Sequence, residues 1–254
     1  TELTELSCGS EFGEILNVEG MALFFRLKKI YLGRGAPVSL VPLAGMHSLE
    51  SFVAANRTWD FNNFDQLLGL NHLEHFGSDS LTNFSAADLE KLEALPRLIY
   101  LLPNGNRSLD TLSFLKKFPR LQSLGLAYSG WSDYSAVNEL RYLRALYIKF
   151  SESEGVDDLS FFEFSPNLGV LGLGIDAMPS LEGIQAVSNL TNLTAEGGSL
   201  TDLTPVARLK KLTSLNIVRN QFEDLSPLIG LQKLEWVGAQ SNKITNLKFL
   251  DNWT

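Results

Sequence analysis

Apolar positions near the C-terminal end of the chain recur with a fixed spacing. Leu209, Leu212, Leu215, Ile217, Asn220, Phe222, Leu225 and Leu228 are each matched 22 residues later by Leu231, Leu234, Val237, Ala239, Asn242, Ile244, Leu247 and Leu250. A constant period of this size marks stacked supersecondary units, none of which can bury its own apolar face alone. Backward steps of 22, 22, 25, 22, 23, 25, 24, 22 and 24 residues from Leu212 reach Leu190, Leu168, Leu143, Leu121, Leu98, Leu73, Leu49, Leu27 and Leu3. About eleven copies therefore run through the sequence. A single domain over 1–254 is expected, in place of the two that length alone allows.

Within each copy the short L-x-x-L-x-L stretch alternates inward and outward, as a half-buried strand does. Stacked copies pair their strands into one parallel sheet over a continuous apolar core. The expected class is an α/β solenoid, with the return segments forming short helices. Ser85-Ala86-Ala87-Asp88 ahead of Leu89, Leu92 and Leu95 reads as a capped helix of about two to three turns. Asp65 to Leu70 and Tyr134 to Leu140 read as similar short helices. Val41-Pro42-Leu43, Thr204-Pro205-Val206 and Ser226-Pro227-Leu228 place proline where a one-turn helix or an extended crossing needs no amide donor.

Composition narrows the partner class. The net charge is −8 and the pI is near 5.0, which disfavours a grip on phosphate backbones, so no nucleic acid is expected. The pairs Lys28-Lys29, Lys116-Lys117 and Lys210-Lys211 fall beside strand starts and read as solvated turn residues. The acidic run Glu152, Glu154, Asp157, Asp158 and Glu163 lies on the longest insertion and reads the same way. The one cysteine, Cys8, sits at an inward strand position and supports no disulfide framework. No apolar run is long enough for a membrane span. No basic-then-apolar start resembles a signal peptide, which favours the cytoplasm over the cell surface.

Residues 200 to 250, LTDLTPVARLKKLTSLNIVRNQFEDLSPLIGLQKLEWVGAQSNKITNLKFL, resemble the leucine-rich repeat family, and within it the 22-residue type of bacterial internalin-like proteins. The leucine-rich-repeat resemblance covers almost the whole chain, the internalin-like pattern about the last three copies. It implies a right-handed horseshoe or arc with a concave parallel β-sheet of about eleven strands, a convex side of short 3-10 and α helices, and protein partners bound on the concave sheet. The family's inward asparagine, which satisfies backbone groups at the turn after each strand, stands here as Asn106, Asn220 and Asn242. Ser129, Ser151 and Asp176 occupy that position in other copies, and Gly35 and Gly198 cannot serve it. Waters or backbone bonds are expected to replace the ladder there.

Alternation also names the outward positions. They include Lys29, Tyr31, Ser51, Val53 and His75 in the early copies, and Asn192, Thr194, Glu196, Ser214, Asn216 and Val218 in the late ones. The middle copies concentrate Tyr100, Leu102, Tyr128, Tyr147, Lys149 and Phe150. Aromatic side chains supply large contact area with a polar tip, so this cluster is the first candidate for a partner-binding patch. Arg219 with Trp236 is the second. Gly77, Gly125, Gly172 and Gly238 stand at outward positions too, and are expected to flatten the face and admit a partner close to the sheet. Trp59 and Trp131 fall on inward positions after the turn and read as core.

No catalytic constellation emerges. His72 and His75, with Asp79 nearby, point to different faces of a strand–turn segment, so no metal site is expected. The chain carries no phosphate-binding glycine loop, no G-x-S-x-G and no H-E-x-x-H, and no cofactor is expected. The reading is a noncatalytic protein–protein interaction module that binds a macromolecular partner on its sheet. Two alternatives stay open: a glycan stacked in the aromatic groove, or the recognition part of a larger enzyme.

Overall fold

The computed structural model describes residues 3–8, 19–33, 40–54, 64–78, 85–105, 109, 111–127, 130–150, 156–163, 165–175, 178–245, 247 and 251. The chain forms two compact units, Thr1–Ser129 and Gly130–Thr254.

The first unit carries β1 (Glu5–Cys8), β2 (Lys29–Leu32), β3 (Ser51–Ala54), β4 (His75–Ser78), β5 (Tyr100–Pro103) and β6 (Ser123–Ala127). They pair in chain order, all parallel, with Glu5 opposite Lys29, Lys29 opposite Ser51, Ser51 opposite His75, His75 opposite Tyr100 and Tyr100 opposite Ser123. The second unit carries β7 (Ala145–Phe150), β8 (Val170–Ile175), β9 (Asn192–Glu196), β10 (Ser214–Asn216) and β11 (Trp236–Gly238). Here Ala145 faces Val170, and the row Val170–Asn192–Ser214–Trp236 continues at a constant 22. These offsets are those of the leucine spacing, so the leucine pattern is also the hydrogen-bond register. The reason is energetic. A one-residue slip would turn every buried leucine to solvent.

Within each unit, neighbouring copies are clamped by one carbonyl just before the strand, which accepts two successive N–H groups. Thr4 O accepts from Lys28 at 2.8 Å and Lys29 at 3.2 Å, and Thr213 O accepts from Glu235 at 2.8 Å and Trp236 at 3.1 Å. Side chains in the same turns reinforce the stack. Arg120 donates to Pro96 O at 3.2 Å, Asn167 Nδ2 to Arg141 O at 2.7 Å, and the hydroxyls of Thr191 and Thr213 to Gly169 O and Thr191 O at 3.0 Å each.

The return segments are mostly single 3-10 turns. The capped helix is present as α1 (Ala86–Lys91), continued by a 3-10 turn over Leu92–Ala94. Ser85 Oγ accepts from Asp88 N–H at 3.1 Å and Asp88 Oδ2 accepts from Ser85 N–H at 3.2 Å, the reciprocal pairing of a capping box. The other two expected helices are shorter than the pattern suggests, 3-10 turns over Phe64–Leu67 and Ser135–Glu139. The second of them follows Tyr134, whose side chain makes no cap hydrogen bond. The three proline segments are one-turn 3-10 helices over Val41–Leu43, Thr204–Arg208 and Ser226–Leu228.

In the second unit an aspartate two residues ahead opens several of these turns. Ser135, Ser160, Thr204 and Ser226 N–H donate to Asp133, Asp158, Asp202 and Asp224 at 2.8, 2.9, 2.7 and 2.8 Å. The first N–H groups of a short helix have no intrahelical acceptor, so the carboxylate supplies one. The backbone N–H of Ser135 holds the Asp133 carboxyl below the ordinary range, and the Ser226 hydroxyl followed by its N–H does so for Asp224. A carboxyl lowered on folding contributes stability that is complete above its unfolded value, about 3.9, and is lost as pH falls through the lower native value. Asp133→Ala and Asp224→Ala are therefore expected to lower the urea midpoint at pH 7, with the gap to the parent narrowing as the pH falls into the acid range in which these carboxylates protonate. Urea titrations across pH check this; a gap that persists in acid would show that the side chains act by packing alone.

The core lies under the sheet. In the first unit Phe52 and Phe76 stack at 6.3 Å between ring centres. In the second, Trp131, Tyr134 and Phe150 are buried in one edge-to-face chain, with ring centres 6.5 Å and 5.2 Å apart. Trp131 is core, as its inward position requires, while Trp59 lies outside the described residues.

A candidate binding face on the parallel sheet

The outward positions of the strands form three register rows in the second unit. The first runs Ala145, Val170, Asn192, Ser214, Trp236; the second Tyr147, Gly172, Thr194, Asn216, Gly238. The third begins Lys149, Gly174, Glu196. Two large rings stand out on this surface of small and amide side chains. Tyr147 is 48% exposed and Trp236 51%.

Both rings lie down on glycine. A Cβ placed on Gly172 would stand 2.6 Å from Tyr147 Cδ1, and one on Gly238 would stand 2.5 Å from Trp236 Cη2. Lys149 does the same over Gly174, where a Cβ would meet its Cγ at 3.0 Å. In the first unit Leu102 fills the space over two glycines: a Cβ on Gly77 would collide with its Cβ, and one on Gly125 with its Cδ2. The expectation that these glycines leave the sheet open to a partner is thus corrected. Their vacant side-chain positions are taken by neighbouring side chains, which lean into the low ground of a pleated surface. What faces outward at Tyr147 and Trp236 is the upper side of a supported ring.

The remaining sequence candidates sort as follows. Tyr100 is half-buried, edge-on to His75 at 5.5 Å between centres. Leu102 is half-buried between its two glycines. Phe150 is not on this face: it is 2% exposed and packs its ring against Tyr134. β7 runs on to residue 150, so alternation carries Phe150 inward behind Leu146 and Ile148. Ser51 is likewise buried, in contrast to its expected exposure. Tyr128 lies outside the described residues, as do Asn106 and Asp79.

Arg219 follows β10 and is exposed, with its guanidinium 3.5 Å from Glu196. Its φ is +60°, and the positions 22 residues to either side, Gly197 and Ser241, have φ of +85° and +59°. Each of these turns needs one left-handed residue before the ladder position, and arginine and serine adopt it at a cost of about 1–2 kcal/mol. The following asparagine explains why the turn is kept. Asn220, 1% exposed, donates through Nδ2 to Ala195 O at 2.8 Å, Ile217 O at 3.1 Å and Val218 O at 3.3 Å, and accepts from Leu200 N–H at 3.3 Å. Asn242 repeats the arrangement with Ile217 O, Ala239 O and Phe222 N–H.

The histidines serve structure. His72 Nδ1 hydrogen-bonds His47 O at 3.0 Å, while His75 faces Tyr100. Among the described residues no group of His, Cys, Asp and Glu is arranged to hold a metal ion, and no helix is long and apolar enough to cross a membrane.

The sequence matches no protein-family model and no curated protein. Its structure is similar to several solved ones. An internalin of Listeria monocytogenes, InlF, is 22% identical over 99% of this chain and 71% of its own, with a TM-score of 0.67. A leucine-rich-repeat protein of Leptospira interrogans is 18% identical over 100% of this chain and 81% of its own, with a TM-score of 0.58. The functional domain of Listeria monocytogenes InlJ, which includes a cysteine ladder, is 18% identical over 96% of this chain and 55% of its own, with a TM-score of 0.53. With the parallel strands, the 3-10 returns and the asparagine rungs, these likenesses establish that the chain has the internalin-like leucine-rich-repeat fold.

Proposed function

We propose that the chain is a noncatalytic interaction module that docks a protein partner on the exposed face of its sheet, anchored in the second unit by Tyr147 and Trp236. The observation that carries this reading is the support under each ring. A large side chain left about half exposed ordinarily moves among rotamers, and fixing it on binding costs entropy. Tyr147 and Trp236 are already laid over Gly172 and Gly238, so most of that cost is met on folding. Rings held flat, with amide and hydroxyl groups of Asn192, Thr194 and Asn216 between them, suit a partner surface that offers aliphatic or proline contacts and backbone amides. Lys149 and the Arg219–Glu196 pair lie at the margin, where charges set orientation more than affinity.

The test is affinity capture with the parent chain, Tyr147→Ala, Trp236→Ala and the double variant, with Tyr142→Ala, an exposed ring in the turn before β7, as control. Each ring substitution is expected to weaken a captured protein by about 30-fold, the measure of an anchor worth about 2 kcal/mol, while Tyr142→Ala leaves it unchanged. Equal affinity for the double variant would remove this face from the function. A glycan array answered by the same two rings, with no protein captured, would favour the sugar-binding alternative instead.

A further inference from the structure

We infer that the partner of this face presents a proline-rich segment in the polyproline II conformation, laid along the row Gly172–Thr194–Asn216–Gly238; the inference rests on the docking role proposed above. These positions are register partners on the successive strands β8 to β11. Tyr147 leans onto the first of them from β7, and Trp236 lies back along β11 onto the last. The row therefore reads ring, hydroxyl, amide, ring. Its two glycine seats are separated by three strand spacings, about 14 Å. About five residues of polyproline II, at roughly 3.1 Å each, cover that length.

The polarity of the row selects the occupant. Val218 N–H donates to Asn216 Oδ1 at 3.2 Å. That bond fixes the amide: its oxygen turns to the backbone and Nδ2 is left to donate. Among the described residues no acceptor takes the Nδ2 hydrogens. Asn216 Oδ1 also lies 3.2 Å from the Cβ position of Gly238, where Trp236 Cη2 stands at 2.5 Å, so the amide borders the ring. Glu196, the carboxylate of the neighbouring row, faces Arg219 at 3.5 Å. The face thus sets a donor beside a flat apolar surface while its acceptors are engaged. A proline segment is the complement, with carbonyl acceptors, no N–H at its prolines and rings that lie on aromatic side chains. Its conformation is set before binding, so little ordering cost is added. A sugar would instead bring hydroxyl donors, for which the Asn216 oxygen and the Glu196 carboxylate are already engaged.

The probe is a blocked nonaproline peptide, titrated into the isotope-labelled chain and followed by amide NMR. The Asn216 side-chain amide and the Trp236 indole N–H are expected to shift together. Blocked triproline, too short to reach both rings, is expected to bind at least about tenfold more weakly. Trp236→Ala and Asn216→Asp should each weaken nonaproline by about tenfold. Asn216→Asp keeps an oxygen for Val218 N–H and replaces only the donor, so its far-UV circular dichroism spectrum should match the parent's. Nonaproline that shifts neither signal at millimolar concentration, or that binds both variants as tightly as the parent, overturns the inference. So does a glycan that shifts the two signals where nonaproline does not. A captured protein that still depends on Tyr147 and Trp236 in a chain that ignores nonaproline sinks this inference and leaves the docking role standing. Ring substitutions that leave capture unchanged remove both.

Discussion

Replacing Asn220 with alanine is expected to destabilise the second unit by about 3 kcal/mol, and Asn242→Ala by only about 1 kcal/mol. The two side chains make the same set of bonds, so the contrast isolates burial. At 1% exposure Asn220 serves three carbonyls and one N–H across two copies. Alanine would leave these groups without partners where no solvent reaches, and an orphaned buried group carries a desolvation penalty of about 1–3 kcal/mol. Asn242 is half-exposed, so water can replace what its amide supplied. Denaturant titrations of both variants read the difference. Equal losses would mean that the rungs act through turn conformation and not through satisfying buried groups.

Gly183→Ala is expected to be as damaging, at about 2–5 kcal/mol from backbone strain and overpacking together, a fall of roughly 10 °C in Tm for a chain of this size. Gly183 has φ +93°, a left-handed conformation that an L side chain resists. The space above it is also occupied. A Cβ there would collide with the carbonyl carbon and oxygen of Leu159 and stand 2.5 Å from the Ser160 nitrogen. Those atoms are backbone, held close because Leu159 N–H donates to Glu182 O at 2.7 Å, so no rotamer change relieves the collision. Gly69→Ala is the control: nothing lies within 4 Å of its Cβ position, and the substitution should be neutral or slightly stabilising. Thermal melts of the two variants distinguish a conformational glycine from one that merely occupies a turn.

Most of the fold is legible in the sequence because periodic burial drives it. Leu215, Leu193 and Leu171 stand opposite one another because each must reach the same core, so their spacing in sequence is their register in space. Ser85 and Asp88 announce α1 through a local bond pattern three residues long. The face is harder to read. Phe150 falls on the outside only if its strand ends at the usual length, and the added pairing of Phe150 with Ile175 shows that β7 continues. The short 3-10 returns look like fuller helices in sequence because apolar spacing alone does not distinguish one turn from two. What fills Gly77, Gly125, Gly172 and Gly174 is a residue one strand away, as Leu102 is for Gly77, and no spacing within a strand encodes that; only Gly238 is filled from its own strand, by Trp236. The left-handed turn at Arg219 has a signal in the glycine 22 residues earlier, Gly197.

The seating of Tyr147 on Gly172 has a consequence for how such a surface can diverge. The ring belongs to β7 and its seat to β8, so neither position can drift freely. A methyl group at residue 172 would lift the ring off the sheet while leaving the tyrosine itself unchanged one strand earlier. At this point of the face the unit that must change together is therefore a residue pair in adjacent repeats, ring and seat exchanged as one.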